Sequence, residues 1–534
     1  MTIRTDRHGY RETGKFTSLV LDYLEQRPEI GSLHHGLPSV STIRASIERR
    51  GAVTTDRSLL VTTLTEQYQL VPNSPRTQQQ IHSLAQPNTF TITTAHQCNL
   101  FLGPLYTIYK ALHAIRLADS LNEQLPEHHF VPVFYLGSED ADLDELNHIH
   151  LLGEKLEWNT QQQGAVGRMK VDQHMIDLID RQAQWLGSFP HGSNWLEKIR
   201  ECYGIGSTLA TATFRLLHSL LADRGLLVLE ADHPKLKSAA TEFFWKELQH
   251  EVSHQAVSSV NARLTEWGYP VQAHARNINL FYLTEGKRTR IERVGAEWRI
   301  ADQSRQWNES QLRQELKEHP ERFSPNVILR GLYQEVILPN LVYVGGGGEL
   351  AYWLQLKPVF DAFQVPFPLL ELRASLQWMD ARSAEKLQAL DLKPVDLFSP
   401  VEALLRRRMS DRTLAQLDLS DRLKNISAEY DLLSRQALST DPTLGPHVES
   451  LRTRALNKIE ALSKKMERAA RRKMSDQRSQ IEIMQRDAFP GQVLQERWEN
   501  VGYYYSLYGE KYLDWLYAAM EPFNRSFTWI IASE

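Results

Sequence analysis

Between residues 90 and 150 the spacing of apolar positions changes period twice, and the change predicts a βαβ unit. Phe90 to Thr94 is short, apolar and β-branched, as a buried strand requires. Polar His96, Gln97 and Asn99 follow, then Gly103-Pro104. Pro104 suits a first helical position, and Leu105, Ile108, Tyr109, Leu112, Ile115 and Leu117 recur behind it at helical spacing. The helical pattern fades at Leu125-Pro126. A second apolar strand, Phe130 to Leu136, runs into Gly137-Ser138-Glu139-Asp140. Two parallel strands joined by a helix place these polar groups at the strands' carboxyl ends, where open α/β sheets bind ligands. The active site is expected there.

The remaining pattern divides the chain. Residues 1–85 read as a helical N-terminal segment, with one apolar stripe at Phe16, Leu19, Val20, Tyr23 and Leu24 and another at Leu59, Leu60, Leu64, Tyr68 and Leu70. The core's first part spans 86–254, and Leu226 to Leu229 is its next strand. Residues 255–320 break the rhythm, because Val271–His274, Asn279–Leu283, Arg288–Val294 and Trp298–Ala301 predict a small antiparallel insertion. The core resumes over 321–404, where Leu341–Val344 leads into four glycines and a helix starting near Glu349. Over 405–490, Leu423, Ile426, Tyr430 and Leu433, then Val448, Leu451, Ala455, Ile459, Leu462 and Met466, keep three-and-four spacing on either side of a turn at 441–446. That is an antiparallel coiled-coil hairpin. The aromatic-rich segment 491–534 is expected to pack on the core. The fold class is α/β, with a parallel-sheet core.

Composition narrows the function without naming it. Apolar residues make up 42% and charged residues 24%, ordinary for a soluble globular chain. A net charge of −4 gives no whole-chain attraction to nucleic acid or an anionic membrane. No apolar run approaches a membrane span. The two cysteines, Cys98 and Cys202, are too few for a disulfide framework and fit a reducing cytoplasm.

Three stretches carry candidate chemistry. His96, Gln97 and Asn99, after a strand and before a helix, offer donors to a phosphate or carboxylate. Their competing reading is as helix caps. Glu139, Asp140, Asp142, Asp144 and Glu145 put five carboxylates within seven residues, with His148 three beyond Glu145. Such a cluster repels itself unless a cation or a ligand amine enters it, so it can bind an amine, deprotonate one or hold Mg²⁺. It also reads as a solvated loop capping a helix. Gly345, Gly346, Gly347 and Gly348, before Glu349, expose backbone amides to an anion, yet no GxxxxGK[ST] motif occurs in the chain. Cys98 sits beside His96, but residues two apart on an extended loop point in different directions, so it does not read as a nucleophile. The basic run Lys464, Lys465, Arg468 to Lys473 reads as the wet face of the coiled coil.

His96-Gln97 with Leu100-Phe101, Gly103 to Thr107 (Tyr106 among them), Tyr109-Lys110, Glu139-Asp140 through His148, residues 324–330 ending in Arg330, residues 344–353, and 495–500 together resemble the bacillithiol-biosynthesis cysteine-adding enzymes. The matches fall in that family's order over most of the chain. Ala95 departs from the family's usual glycine. The resemblance implies a Rossmann-like core and an amide-forming ligase that joins L-cysteine to glucosaminyl malate. ATP with Mg²⁺ is the expected activator, although no motif displays it. In this reading His96, Gln97 and Asn99 steady an anion or the activated acyl oxygen. Asp140, Asp142, Asp144 and Glu145 hold amines or Mg²⁺. Gly103, Tyr106, Glu139 and His148 contribute to substrate binding, while Arg330, Arg373 and the glycine run with Glu349 complete an anion site. No metal resident in the protein is expected. A homodimer through the coiled coil is expected as well. The rival readings are a nucleotidyltransferase-like enzyme and a non-catalytic scaffold assembling through its hairpin.

Overall fold

The computed structural model describes residues 2–408, 418–472 and 474–533. Residues 1–378 with 493–534 form one compact unit and residues 379–492 another.

A five-stranded parallel sheet centres the first unit. Its strands are β2 (Thr89–Gln97), β3 (His129–Gly137), β6 (Leu227–Glu230), β12 (Asn340–Gly345) and β13 (Leu369–Leu372), in the order β13-β12-β2-β3-β6. From β2 the chain first builds outward through β3 to β6, then returns to lay β12 and β13 on the other side. The strand order therefore reverses between β2 and β12, the switch point at which sheets of this kind leave a crevice. Thr89–Gln97 and His129–Gly137 pair in continuous parallel register. Phe90, Ile92, Phe130, Val342 and Val344 share a core cluster with Ala114, Leu117 and Leu121 of the covering helix. Each large side chain so buried contributes about 1.5–3 kcal/mol.

That helix spans Tyr106–Gln124, two residues later than the expected start at Pro104. Pro104 instead bridges to Asn500 in an extended pairing. The helix ends where expected, because Leu125 precedes a proline and takes φ −131°, ψ 62°.

The insertion is antiparallel, in the order β10-β9-β8-β7-β11: β7 (Leu280–Thr284), β8 (Lys287–Val294), β9 (Glu297–Ile300), β10 (Gln306–Trp307) and β11 (Phe323–Pro325). Residues 271–274 form no strand. Within this stretch Val252–Glu266 and Glu309–Glu318 are helical. A two-stranded hairpin, β4 (His148–Leu151) with β5 (Glu154–Glu157), follows the acidic loop.

The N-terminal segment is not wholly helical. β1 (Thr2–Gly9) pairs antiparallel with β15 (Ser526–Ser533), which also borders β14 (Ser375–Met379). The C-terminal segment thus joins the first unit, and Trp378 packs among Tyr504, Tyr508, Tyr512 and Trp515. In the second unit, helices Ser420–Thr440 and Gly445–Arg472 pair across a turn at Pro442–Leu444. No described helix is long and apolar enough to cross a membrane.

Candidate active site

A cavity of about 670 Å³ opens at the carboxyl ends of the parallel strands. Ala95 to Gln97 reach it from the end of β2, Gly137 and Glu139 from β3, Gly346 from β12 and Arg373 from β13. The inserted sheet supplies a further wall with Phe281, Arg288 and Arg290. Seven cationic side chains line it (Lys110, Arg276, Arg288, Arg290, Arg330, Arg373 and Arg497) against four carboxylates, Glu139, Asp140, Glu145 and Glu349.

Two of the cations already have carboxylate partners, one of them buried and the other partly so. Arg373 makes a bidentate pair with Glu496 at 2.6 and 2.7 Å and lies 5.5 Å from the Tyr106 ring. Burial works against its charge, but Glu496 outweighs burial and holds the guanidinium charged. Lys110 is buried in an apolar stretch of its helix. It donates to the Ala95 carbonyl at 2.8 Å and pairs with Glu349. Glu349 also accepts from the Tyr343 hydroxyl at 2.6 Å and the Gly346 amide at 2.8 Å. Burial alone would raise the Glu349 carboxyl; Lys110 with these two donors instead brings it down to about 2. Burial outweighs Glu349 at Lys110, whose ammonium is shifted downward.

Among the described residues no ion pair engages Arg276, Arg288, Arg290, Arg330 or Arg497. Arg330 is surrounded by tyrosines: Tyr352 accepts from it at 2.9 Å, and its guanidinium lies 5.5 Å from the Tyr135 ring and 5.8 Å from Tyr343. Arg288 stacks 4.1 Å over Phe281 and donates to Ser324 and Pro325 at 3.0 and 3.1 Å, which aims it along the cavity wall.

His96 packs edge-on against Tyr106 at 5.1 Å, and its Nε2 is buried with no hydrogen-bond partner. Burial, then Lys110, pulls its pKa down to about 3. The imidazole is therefore neutral in ordinary buffers, and His96 lines the cavity. Gln97 donates to Asp140 at 3.1 Å, linking the ends of β2 and the acidic loop. Glu139 is anchored by Lys237 at 2.5 Å, and Lys237 is shared with Asp232 at 2.9 Å. Burial raises the Glu145 carboxyl, reinforced by Asp140 and Asp142.

Several expected site residues build the site without lining it. Asn99 and Gly103 shape the turn before the helix. Phe101, Leu102 and Gly103 all take positive φ, at 45°, 69° and 62°. A Cβ on Gly103 would fall 2.7 Å from the Asn99 Cβ, so the turn closes only around glycine. Asn500 clamps it by donating to the carbonyls of Phe101 and Gly103 at 3.0 and 2.6 Å. Asp142 caps the short Leu143–Leu146 helix by accepting from the Glu145 amide at 3.3 Å, and Asp144 is exposed beside it. His148 lies in β4 against Asn147 and His150. Of the glycines, Gly346 and Gly348 line the cavity, whereas Gly345 and Gly347 face packed side chains. The helix N-terminus at Gly347 is partly occupied by its own Glu349 through the Gly346 amide. Lys110, Arg276, Arg288, Arg290, Tyr352 and Arg497 were not among the expected site residues.

No group of three or more His, Cys, Asp or Glu side chains converges on a metal position among the described residues. Within the acidic loop Asp142 caps the short helix and Asp144 is exposed. An ion bound through phosphates needs only one or two protein carboxylates. Asp140 and Glu145, both on the cavity wall, meet that requirement.

Fold and site together define a Rossmann-like α/β protein with a cation-lined cleft at the sheet's switch point and a coiled-coil hairpin in a second unit. Residues 3–374 match the family description "Bacillithiol biosynthesis BshC, N-terminal Rossmann-like domain", and residues 377–532 match "Bacillithiol biosynthesis BshC, C-terminal coiled-coil domain". The chain belongs to the bacillithiol biosynthesis BshC family. It is similar to a protein of Flavobacterium johnsoniae, 35% identical over 525 residues that cover 98% of this chain and 99% of the relative. A protein of Christiangramia forsetii is 34% identical, covering 97% of each chain, and one of Salinibacter ruber is 30% identical, covering 94% of each. All three carry the name "Putative cysteine ligase BshC".

Proposed function

We propose that the chain is a ligase that forms the amide bond between L-cysteine and the amino group of glucosaminyl malate, the last step of bacillithiol biosynthesis. The observation that carries the reading is the set of five arginines without a carboxylate partner facing one cleft, together with the family. A substrate bearing malate carboxylates, and an acyl group activated by phosphate, both bring the negative charge that such a lining stabilises.

Amide formation from a carboxylate needs activation, and ATP with Mg²⁺ is the proposed source. Arg330, Arg288 and Arg290 would hold the phosphates, and Asp140 and Glu145 would share the ion. The sugar nitrogen attacks the activated cysteine carboxyl carbon, the carbon–oxygen bond to the phosphate or adenylate leaving group breaks, and the amine gives up a proton. His96 is the proposed acceptor: it lines the cleft as a neutral imidazole, and the negative charge of bound phosphates beside Lys110 and Arg330 would raise its basicity above the low value that burial and those cations impose.

The test incubates purified protein with cysteine, glucosaminyl malate and Mg²⁺, with and without ATP, and reads the condensed thiol by mass spectrometry. Product formation that depends on ATP and drops by about 10²-fold or more in folded His96→Ala supports the reading. Product in wild-type protein with unchanged His96→Ala activity moves the proton acceptor elsewhere. Absence of product under all conditions overturns the reaction assignment.

A further inference from the structure

We infer that the amino-terminal end of the parallel sheet carries a second binding site, built for a small zwitterion: an α-amino acid with a compact apolar side chain. A separate cavity of about 320 Å³ lies there, lined by Arg50, Leu59, Leu60, Phe243, Glu335 and Ile337 among others. Asn340 fixes its place. It opens β12 and donates to Glu335 Oε1 at 2.7 Å, whereas the cleft described above lies beyond Gly345 at that strand's other end.

Two buried, opposite charges line the cavity and each leaves hydrogen-bonding capacity unused, while a third charged residue, Asp56, is exposed and caps the helix beginning at Arg57. Arg50 is 3% exposed. Its Nη2 donates to the Thr55 hydroxyl at 2.7 Å and to the Glu335 and Leu338 carbonyls at 2.7 and 2.8 Å, which locks the guanidinium in place. Its Nε and Nη1 are buried with no partner. Glu335 is fully buried, and its Oε1 accepts from Gln334 and Asn340 at 2.9 and 2.7 Å. Its Oε2 has no partner. The two side chains form no ion pair within 4.0 Å among the described residues.

Burying a cation and a carboxylate in one cavity without joining them is costly, and a bridging partner removes the cost. That partner must accept from Arg50 and donate to Glu335. A lone anion would meet the Glu335 carboxylate, and a lone cation would meet Arg50. A zwitterion satisfies both, and Leu60, Leu236 and Ile337 leave an apolar wall for its side chain. The volume lies at the small end of the ligand-site range of about 300–1,000 Å³. Val53, Leu59 and Phe243 are partly exposed at its rim, so the cavity has an entrance. Burial, with Arg50 opposing it, raises the Glu335 carboxyl to about 7, in keeping with a carboxylate that awaits a cationic partner.

The experiment is titration of the full chain with L-valine, isovalerate and isobutylamine by isothermal calorimetry near pH 8. Valine is expected to bind with Kd of about 1 mM or tighter, and each single-charge analogue about tenfold more weakly or worse. Glu335→Gln should weaken valine by about tenfold or more while leaving isovalerate unweakened. Leu59→Trp, which fills the entrance without touching either charge, should abolish valine binding, and Arg330→Ala in the other cleft should leave it intact. No valine binding to the wild type, meaning that ordered water alone bridges the pair, overturns the inference. So does binding that survives Leu59→Trp and disappears in Arg330→Ala.

Discussion

Lys110→Met and Glu349→Gln test whether the cleft is held by a buried ion pair. Lys110 has one carboxylate partner and one carbonyl, while Glu349 has Lys110, the Tyr343 hydroxyl and the Gly346 amide. Lowering the Glu349 carboxyl from 4.5 to about 2 corresponds to about 3 kcal/mol, at about 1.4 kcal/mol per unit. Removing one member of a buried pair costs about 3–5 kcal/mol, because the other charge is stranded. Each single variant should therefore lose about 3 kcal/mol. The double variant should lose well under the sum, with a coupling of about 2–3 kcal/mol. All twelve tryptophans lie outside residues 379–492, so tryptophan fluorescence during urea unfolding reports on the cleft's unit alone. The Glu349 contribution has a definite pH sign. Its folded pKa lies below its unfolded one, so the stability is present above about pH 4.5 and is lost as pH falls toward 2. Glu349→Gln should flatten that acid limb. Additivity of the two substitutions within about 0.5 kcal/mol would refute the pairing.

Gly103→Ala should lower the melting temperature, because φ 62° with ψ −146° costs a side-chain-bearing residue about 1–3 kcal/mol, and its Cβ meets Asn99; an unchanged melt would mean the turn relaxes freely. Asp142→Asn should keep both stability and product formation, since asparagine caps a helix as well as aspartate does; loss of product in a folded protein would return Asp142 to the chemistry. We propose, lastly, that the hairpin joins two copies of the chain: Ser420–Thr440 buries none of its side chains, and Leu432, Leu433, Leu451 and Leu462 are 41–53% exposed. Light scattering should give a dimer that Ile459→Asp with Leu462→Asp converts to monomer; a monomeric wild type refutes it.

The parts of this fold that were legible in sequence are those whose physics is local. Phe90–Thr94 and Phe130–Leu136 announce β2 and β3 by composition, and both strands run only one to three residues further at each end. Three-and-four spacing locates both hairpin helices and the turn between them. β1 stayed hidden because its pattern is polar and its partner, β15, lies at the other end of the chain. Nothing in TIRTDRHG reveals a strand until Ser526–Ser533 is beside it. The acidic loop offers both a ligand-binding and a capping reading, and its local spacing bears on the choice at Asp142. Asp142 and Glu145 stand three apart, as a cap and its third helical residue do, and that spacing favours capping over metal binding at Asp142.

Charge was harder to read than shape, because a cationic side chain looks the same in sequence whether its charge is already matched or not. Lys110 and Arg373 stand on the cleft wall with carboxylates of their own, so they organise the site electrostatically and leave little for a ligand to neutralise. Arg276 precedes β7 in an irregular stretch of the inserted segment, while Arg288 and Arg290 lie in β8, where they read as the ordinary polar positions of a half-exposed sheet. Only the return of β7 and β8 over the switch point turns their side chains toward His96 and Glu139. Arg330 needs neither distance nor insertion to be noticed, yet its significance comes from its neighbours. Tyrosine hydroxyls and ring faces keep it charged and fixed while supplying no formal negative charge. The parallel sheet thus contributes the rigid floor and the neutral imidazole, and the insertion contributes three of the five unmatched arginines, Arg330 and Arg497 coming from the core and the C-terminal segment. The cleft is built by the insertion as much as by the sheet, and the proposed ligand, which brings its own negative groups, matches both.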